Sequence, residues 1–407
     1  MIGSGGREHA LCWSLAKTPG IELFATPGNP GMGQIVSCHP ATDALALAES
    51  LHVDLTVVGP EAPLADGIVD RFRARGQRII GPPQAAAKLE SSKVFAKDFM
   101  HRFGIPTARH VAARTPAEAL DALRHFDMPV VLKTDGLAAG KGVIIARTRA
   151  EAEDGIAPLM ASGAPLVIEE FLEGEEASFI VLSDGDHAVP FEASQDHKAV
   201  FDDDRGPNTG GMGAYCDGRI LSAQQSEAVM SSIIDPALEG MRRDGTPFTG
   251  FLYAGLMMTA NGPNALEFNV RLGDPEAQAL LYRLHTDLAS VLDSAATPGG
   301  LRGAKLSWKT DPSVCVVLAA AGYPGAPKRG DLISGIETVT SGVVFQAGTE
   351  LDLYGIKTAG GRVLGVTSSG PDLASAIRNT YAEVEKIHFE GMHYRRDIGK
   401  KGLKRWT

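Results

Sequence analysis

Short apolar runs alternate with helically spaced apolar positions through residues 1–90. Asp54–Pro60 is an apolar run closed by Gly59-Pro60, and Arg78–Pro83 repeats that form. Between them Leu64, Ile68, Val69 and Phe72 recur near helical spacing. The alternation predicts a βαβ unit on a parallel sheet, with its ligand crevice at the carboxyl ends of the strands. Glu61, just past one such end, is a candidate contact as readily as a solvated loop acid.

Further along, a helix is expected from Ser91 to His101, placing Lys93 and Lys97 on one face. The stretch 106–178 is dense in short strands. Pro129–Lys133 and Val143–Ala146 flank the loop Thr134–Gly142, and Leu166–Leu172 forms a third strand. A helix starts at Ser222 with a capping-box pair, Ser222 and Gln225. Phe251–Thr259 and Ala265–Arg271 read as a hairpin around the turn Asn261–Asn264. Strands at Ser313–Ala319 and Gly361–Thr367 and a helix from Asp372 to Ile387 complete the pattern, which is α/β of the α+β multidomain kind.

Composition narrows the partners. The chain has 407 residues and a formal net charge of −10, from 39 Lys and Arg against 49 Asp and Glu. That balance gives no global basic footprint for nucleic acid or an anionic membrane. Cys12, Cys38, Cys216 and Cys315 lie too far apart for a zinc pattern or a disulfide framework. No apolar run approaches the ~18 residues of a membrane span, and no secretory leader is evident. A reduced, cytoplasmic, multidomain enzyme of small molecules is expected, as a monomer or weak dimer. The cluster Arg395, Arg396, Lys400, Lys401, Lys404 and Arg405 is expected to be a solvated tail, and Asp202–Asp204 a solvated acidic turn.

Glycine is the one excess, 47 of 407 residues where an average chain has ~7%. Met1–Ala10 has the form of a strand, a Gly-rich turn and a helix start, an arrangement that aims backbone N–H groups at an anion. Glu8 stands at the third glycine position of a dinucleotide fingerprint. The segment therefore favours a phosphate monoester and argues against a nicotinamide oxidoreductase. Gly136–Gly142 is not a Walker loop, having three residues between its glycines and Gly142 after Lys141. It reads as a flap closing over a triphosphate, with Lys133 or Lys141 supplying charge.

Ala265–Arg271 carries the most chemistry. Alternation puts Leu266, Phe268 and Val270 on the core face, and Glu267, Asn269 and Arg271 on the other. A carboxylate beside an amide oxygen suits Mg²⁺ held by few protein ligands plus substrate phosphates. Arg271 can grip a carboxylate or phosphate in bidentate fashion. Gln195–Lys198 and the loop Gly206–Gly213 have the look of segments that wrap an anionic or amide-bearing substrate, His197 being a loop hydrogen-bonder rather than a base. One acid of Glu169–Glu176 is a candidate partner for ribose hydroxyls. With no nucleophile motif in view, phosphoryl transfer by positioning and electrostatics is indicated.

These segments resemble, essentially end to end, the glycinamide ribonucleotide synthetase family of ATP-grasp enzymes. Gly3–Leu11, Pro27–Gly31, Val57–Leu64, Leu89–Lys97, Lys133–Gly142, Glu169–Ser178, Gln195–Lys198, Gly206–Tyr215, Glu267–Gln278 and Phe389–Ile398 carry the resemblance. It implies an ATP-grasp fold with four parts. These are an N-terminal parallel-sheet βαβ domain (1–90), a core (91–110 and 179–305), a small mobile flap (111–178) and a β-rich C-terminal domain (306–407). It further implies ATP-dependent ligation of glycine to 5-phosphoribosylamine through a glycyl phosphate, with Mg²⁺ or Mn²⁺. Lys93, Lys133 and Lys141 would meet the nucleotide phosphates, Glu169, Glu170, Phe171 and Leu172 the adenine, and Glu176 the ribose. Glu267 and Asn269 would hold the metal. Arg271 and Lys133 would act at the reacting groups, Arg271 with Asp274, Pro275 and Glu276 holding the carboxylate or acyl phosphate. Gly5, Gly6, Arg7, Glu61, Asp196, Lys198, Asn208, Gly210 and Gly211 would face the substrates. Two departures stand out. Only Met1 and Ile2 precede the Gly-rich loop, so a weakly anchored loop is expected. After Lys198, Ala199 stands where a basic residue is common in the family, with Phe201, Asp203 and Arg205 at variable positions, and Leu272 replaces a usual Phe as a packing swap.

Overall fold

The structure is a computed structural model that describes residues 1–40, 43–137 and 142–406. Its first part is a parallel sheet whose strands run in the spatial order Ser37–Cys38, Phe24–Pro27, Ile2–Gly3, Thr56–Val57 and Ile79–Ile80. The order of travel reverses at the first strand, so a crevice opens beyond the ends of Ile2–Gly3 and Thr56–Val57, as the switch-point rule requires. The two-residue first strand is bonded on both sides: Thr26 N–H donates to Met1 O at 2.9 Å and Gly59 N–H to Ile2 O at 2.9 Å. The loop after it is therefore held at the centre of the sheet, contrary to the weak anchoring expected from its length.

A nine-stranded antiparallel sheet forms the body, passing from Gly262–Asn269 through Thr249–Thr259, Glu175–Asp184, Ser194–Asp196 and Gly213–Cys216 to Ser313–Ala319, Arg362–Ser369 and Val343–Gln346, with Ala188–Pro190 paired to Glu175–Asp184 off this path. Gly213–Cys216 pairs with Ser313–Ala319, so strands on both sides of residue 306 share one sheet. One apolar core accompanies it, containing Phe72, Phe99, Phe179, Phe268, Val316 and Phe389. The helix from Ser222 is capped as expected, with Ser222 Oγ accepting from Gln225 N–H and Gln225 Oε1 from Ser222 N–H.

Residues 110–170 form a separate lobe with its own core. His110–Ala113, Leu166–Glu170, Val130–Thr134 and Val143–Ala146 make an antiparallel sheet in that order, packed by Pro116–Leu123 and Arg149–Leu159 through Leu123, Leu132, Ile156 and Ile168.

Two expectations are corrected in detail. The hairpin Thr249–Thr259/Gly262–Asn269 turns on Ala260 and Asn261, because Gly262 already pairs with Thr259. A bulge between Ala265 and Glu267 shifts the strand's alternation. Ala265 joins Phe268 and Val270 in the core, while Leu266 faces the cavity described below.

The basic stretch 395–405 is only in part a solvated tail, and Asp202–Asp204, largely exposed as expected, is nonetheless tied to it. Arg395 is fully buried and donates through Nε and NH2 to the two oxygens of Asp397, both at 2.7 Å, and through NH1 to Asp204 at 3.1 Å. Lys401 also pairs with Asp204, and Asp202 accepts from Arg396 N–H at 2.7 Å. Sequence shows two runs of opposite charge; the fold brings them together.

Candidate active site

A cavity of about 590 Å³ opens at the switch point of the parallel sheet and runs beneath the flap lobe. Elements far apart in sequence supply its walls. Gly5, Arg7 and Glu61 come from the parallel domain, Lys93 and Lys97 from the helix Lys93–Arg102, and Lys133 and Glu169 from the lobe. Asp196, Lys198, Glu267, Asn269 and Arg271 come from the large sheet and its loops.

Beneath the lobe, Glu169 is buried between two lysines. Lys97 Nζ lies 2.9 Å and Lys133 Nζ 3.0 Å from its oxygens. Burial works against the charge of Glu169, yet Lys133 and Lys97 hold its carboxyl below the ordinary value. Lys97 also donates to Thr107 Oγ1 at 2.7 Å, and Lys133 to Leu266 O at 3.1 Å. Burial lowers Lys97 to about 8 even with Glu169 beside it. The lobe is seated on the helix start: Asp135 accepts from the N–H groups of Lys93, at 2.5 Å, and Val94, at 3.2 Å. Lys93 Nζ donates to Gly136 O at 2.7 Å.

On the sheet wall, Lys198 Nζ sits 3.2 Å from Glu267 Oε1. The Lys198 charge, with those of Lys133 and Lys93, pulls Glu267 down to about 2, and Glu267 in turn raises Lys198. Asn269 Oδ1 lines the same wall and accepts from Arg271 NH2 at 3.2 Å. An ionised carboxylate next to an amide oxygen is a hard-oxygen pair of the kind that holds Mg²⁺ together with phosphate oxygens. Among the described residues no group of three or more His, Cys, Asp or Glu side chains makes a complete metal cage. The residues thus fit a metal carried in part by a nucleotide.

Arg271 is held more tightly than sequence indicates. Its Nε meets Glu61 at 3.2 Å and NH2 meets Glu90 at 3.0 Å, while NH1 donates to Leu272 O. Burial opposes its charge, but Glu90 and Glu61 raise it. The guanidinium is oriented toward the cavity by these partners.

At the Gly-rich loop, the strand, turn and helix Gly6–Leu15 form as expected, but Glu8 turns back into the loop. Its carboxylate accepts from Gly5 N–H and from Arg7 Nε, each at 2.6 Å. A Cβ on Gly3 or Gly59 would lie 2.5 Å or 2.1 Å from Glu8 atoms, so both positions must be glycine. The helix-start N–H that a dinucleotide pyrophosphate uses is already bonded to Glu8. Gly6 is covered by Gln278 and is not part of the cavity wall.

Gly210, Asp274 and Glu276 join the wall, while Asn208, Gly211 and Pro275 do not. Gly211 is pressed between Pro275 and Asp196, where its φ of +114° and a Cβ distance of 2.4 Å to Pro275 exclude a side chain. Burial and Glu276 together raise the Asp196 carboxyl well above its ordinary value. Glu170, Phe171, Leu172 and Glu176 lie outside the wall, Glu170 at the end of the lobe strand Leu166–Glu170, Phe171 and Leu172 on the connection that follows, and Glu176 on the strand Glu175–Asp184. Lys141 falls outside the described residues. His197 is buried, its ring bonded to Gly213 O at 3.2 Å and Gly399 N at 3.3 Å, and burial lowers it to about 3. It is a hydrogen-bonder, as expected.

Three wall residues escaped the sequence reading. Lys97 carried a signal, its four-residue spacing from Lys93. Glu90 and Arg362 carried none. Arg362, on a strand beyond residue 306, donates to Gly210 O at 2.6 Å and to Asp274 O at 2.5 Å, and pairs with Asp274 at 3.3 Å.

Comparison with known proteins accords with this geometry. Residues 1–90, 91–277 and 313–401 match the N domain, the ATP-grasp (A) domain and the C domain of phosphoribosylglycinamide synthetase. The chain is 49% identical to a phosphoribosylamine–glycine ligase of Xylella fastidiosa, over 100% of this chain and 96% of that one. It is also 49% identical to one of Ralstonia nicotianae, over 100% and 99%. The crystal structure of the phosphoribosylamine–glycine ligase from Thermotoga maritima superposes with a TM-score of 0.85 at 36% identity, covering 98% of each chain. No helix among the described residues is long and apolar enough to cross a membrane.

Proposed function

The chain belongs to the phosphoribosylglycinamide synthetase family, an ATP-grasp ligase that joins glycine to phosphoribosylamine in purine biosynthesis, and from that premise we propose how its cavity divides the work. Lys93 and Lys133 neutralise the nucleotide phosphates, with Lys97 supporting Lys133 through their shared Glu169. By the family resemblance Glu169–Leu172 would line the adenine and Glu176 take the ribose, with Glu170, Phe171, Leu172 and Glu176 lying beyond the walls of the cavity. Glu267 and Asn269 would hold Mg²⁺ or Mn²⁺, which would neutralise charge on the transferring phosphoryl group.

The observation that carries this reading is the position of Glu267. It is kept ionised by Lys198, Lys133 and Lys93 on a wall shared with Asn269 and Arg271, in a cavity that also reaches the Gly-rich loop. In the first step a glycine carboxylate oxygen attacks the terminal phosphorus of ATP. The P–O bond to ADP breaks and glycyl phosphate forms. In the second, the amine of phosphoribosylamine attacks the acyl carbon, the C–O bond breaks, phosphate leaves, and the amine proton passes to the wall or to the departing phosphate. Arg271 orients the acyl phosphate, aligned by Glu61 and Glu90, together with the turn Asp274–Glu276. Gly5, Arg7, Glu61 and Gly210 face phosphoribosylamine, and Asp196 and Lys198 border the reacting centre. The lobe closes over the nucleotide to exclude water. The protein is expected to act in the cytoplasm as a monomer or weak dimer.

The test is ADP release with ATP and Mg²⁺, with glycine and freshly generated phosphoribosylamine added singly and together. One ADP per ligated product, formed only with both, is expected. ADP formed equally with glycine alone overturns the coupling of the two steps.

A further inference from the structure

Part of the basic stretch 395–405 reaches the strand that opens the nucleoside segment. Arg405 NH1 donates to Tyr215 Oη at 2.8 Å, and Tyr215 Oη donates to Gln195 Oε1 at 2.7 Å. Gln195 Nε2 donates to the main-chain oxygen of Glu176 at 2.7 Å. Arg405 NH2 also pairs with Glu175, whose second oxygen meets Lys404 at 2.9 Å. Tyr215 and Gln195 are buried, at 0% and 3% exposure.

The chemistry of the donors gives this chain a direction. A guanidinium only donates, so Tyr215 Oη accepts from Arg405 and turns its own hydrogen to Gln195. That fixes which end of the Gln195 amide is oxygen and leaves its NH2 for Glu176 O. The bridge has a task, because Ser194–Asp196 pairs with Glu175–Asp184 at the single position Ser194–Ser178. On the other side of Glu175–Asp184, the ladder with Thr249–Thr259 pairs Glu175 with Met258 and Glu176 with Met257; on this side, beyond Ser178, the main chain is joined to its neighbour by the Gln195 side chain, whose Nε2 also lies 3.4 Å from Glu175 Oε1. An ion pair alone would need only the charge that Lys404 already brings to Glu175. What Arg405 adds is the aimed donation into Tyr215.

We propose that Arg405 is a positioning residue for the nucleotide: acting through Tyr215 and Gln195, it sets the main chain at Glu175–Glu176 and hence the ribose contact. This rests on the assignment of Glu176 to the ribose above, and the variants are chosen to separate the two.

Arg405→Ala, Arg405→Lys, Tyr215→Phe, Glu176→Ala and, as a control, Arg396→Ala are assayed for kcat, for KM of ATP and of glycine, and for Tm. Arg405→Ala and Tyr215→Phe are expected to raise KM for ATP about tenfold, the scale of one lost hydrogen bond, with kcat and KM for glycine within about twofold. Arg405→Lys recovers most of that loss, since an ammonium can still donate to Tyr215. Arg396→Ala moves nothing. Should Arg405→Ala fail to fold, Tyr215→Phe reads the relay with its ring packing intact. A fall in Tm with every KM unchanged overturns the proposal, as does a uniform loss in kcat and all KM values. A raised KM for ATP in Arg405→Ala with none in Glu176→Ala upholds the relay and removes the ribose assignment. The reverse result upholds the assignment and overturns the relay.

Discussion

Arg271 and Arg395 are both arginines folded among carboxylates, and the fold uses them in opposite ways. Arg395 has no exposed surface, and its hydrogen bonds run to Asp397, Asp204 and the carbonyl of Ala199, all inside the clamp. Arg271 is gripped by Glu61 and Glu90 just as firmly, yet its guanidinium borders a cavity together with Asn269 and Glu276. In the clamp, opposite charges complete one another and seal a loop against the body. Around the cavity, the same pairing orients Arg271 and keeps Glu61 below its ordinary value while leaving a face for a ligand. Pairing alone therefore does not mark a site; pairing beside a void does.

The comparison breaks most sharply at Arg395. Arg395→Met leaves the largely buried Asp397 without its partner and Asp204 with Lys401 alone, a loss of up to roughly 3 kcal/mol in stability. It is expected to lower Tm while kcat and KM, measured well below the transition, stay near the parent values. A KM change without a Tm change would place the clamp in the catalytic apparatus. Glu267→Ala reverses this signature. Losing one charge-stabilising group at the reacting centre costs roughly 10²–10³-fold in kcat, read by ADP release at saturating Mg²⁺. Full activity in that variant removes the metal assignment. The same carboxyl adds a pH signature. Its value in the folded chain, about 2, lies below the ordinary one of 4.5. Its contribution to stability is thus complete above about pH 4.5 and fades as pH falls toward 2.

Most of this distinction is invisible along the chain. Glu267, Asn269 and Arg271 are legible because period-two alternation places them on one face whatever the strand packs against, and the bulge at Leu266 lies before them. Lys93 and Lys97 are legible through helical spacing. The parallel domain is legible because its strands and helices are local patterns. Arg395 and Asp204 are 191 residues apart, and only the closure of the large sheet across residue 306 brings them together. Arg362 reaches the cavity by the same closure, from a strand whose own pattern says only that it is buried. Glu8 shows a subtler failure: sequence correctly sets it against a dinucleotide, but its return to cap Gly5 needs the loop in three dimensions.

Lys97 sharpens the boundary between the two kinds of pairing. Burial lowers it to about 8 in the folded chain, against an ordinary value of about 10.4. A lysine lowered by folding disfavours the native state where it is charged, so its penalty shrinks as pH rises from about 8 toward 10.4. Activity moves the other way. Above pH 8 the charge beside Glu169 disappears, and KM for ATP is expected to climb about fivefold, on the order of 1 kcal/mol of partly screened interaction. In Lys97→Met the pH-dependent rise vanishes and KM is high throughout. A limb that persists in Lys97→Met assigns it elsewhere.

The smallest expected effect returns to the clamp. Asp203 and Asp204 adopt left-handed backbone, with φ of 58° and 52°, and Asp204 is the residue that Arg395 and Lys401 hold. Asp204 uses its side chain for those partners, so its strain is offset by two ion pairs. Asp203 contributes a main-chain N–H to Asp397 at 2.9 Å, and its own carboxylate points largely to solvent, 3.9 Å from Arg205. Glycine tolerates that backbone without a Cβ penalty and keeps the N–H. Asp203→Gly is therefore expected to change stability by less than about 1 kcal/mol, with relief of strain set against a more flexible unfolded chain. Asp204→Gly loses the pairs as well and must fall clearly below it in Tm. Equal Tm values for the two variants would mean that the clamp is held by backbone geometry, and that Arg395 is buried there without being what closes it.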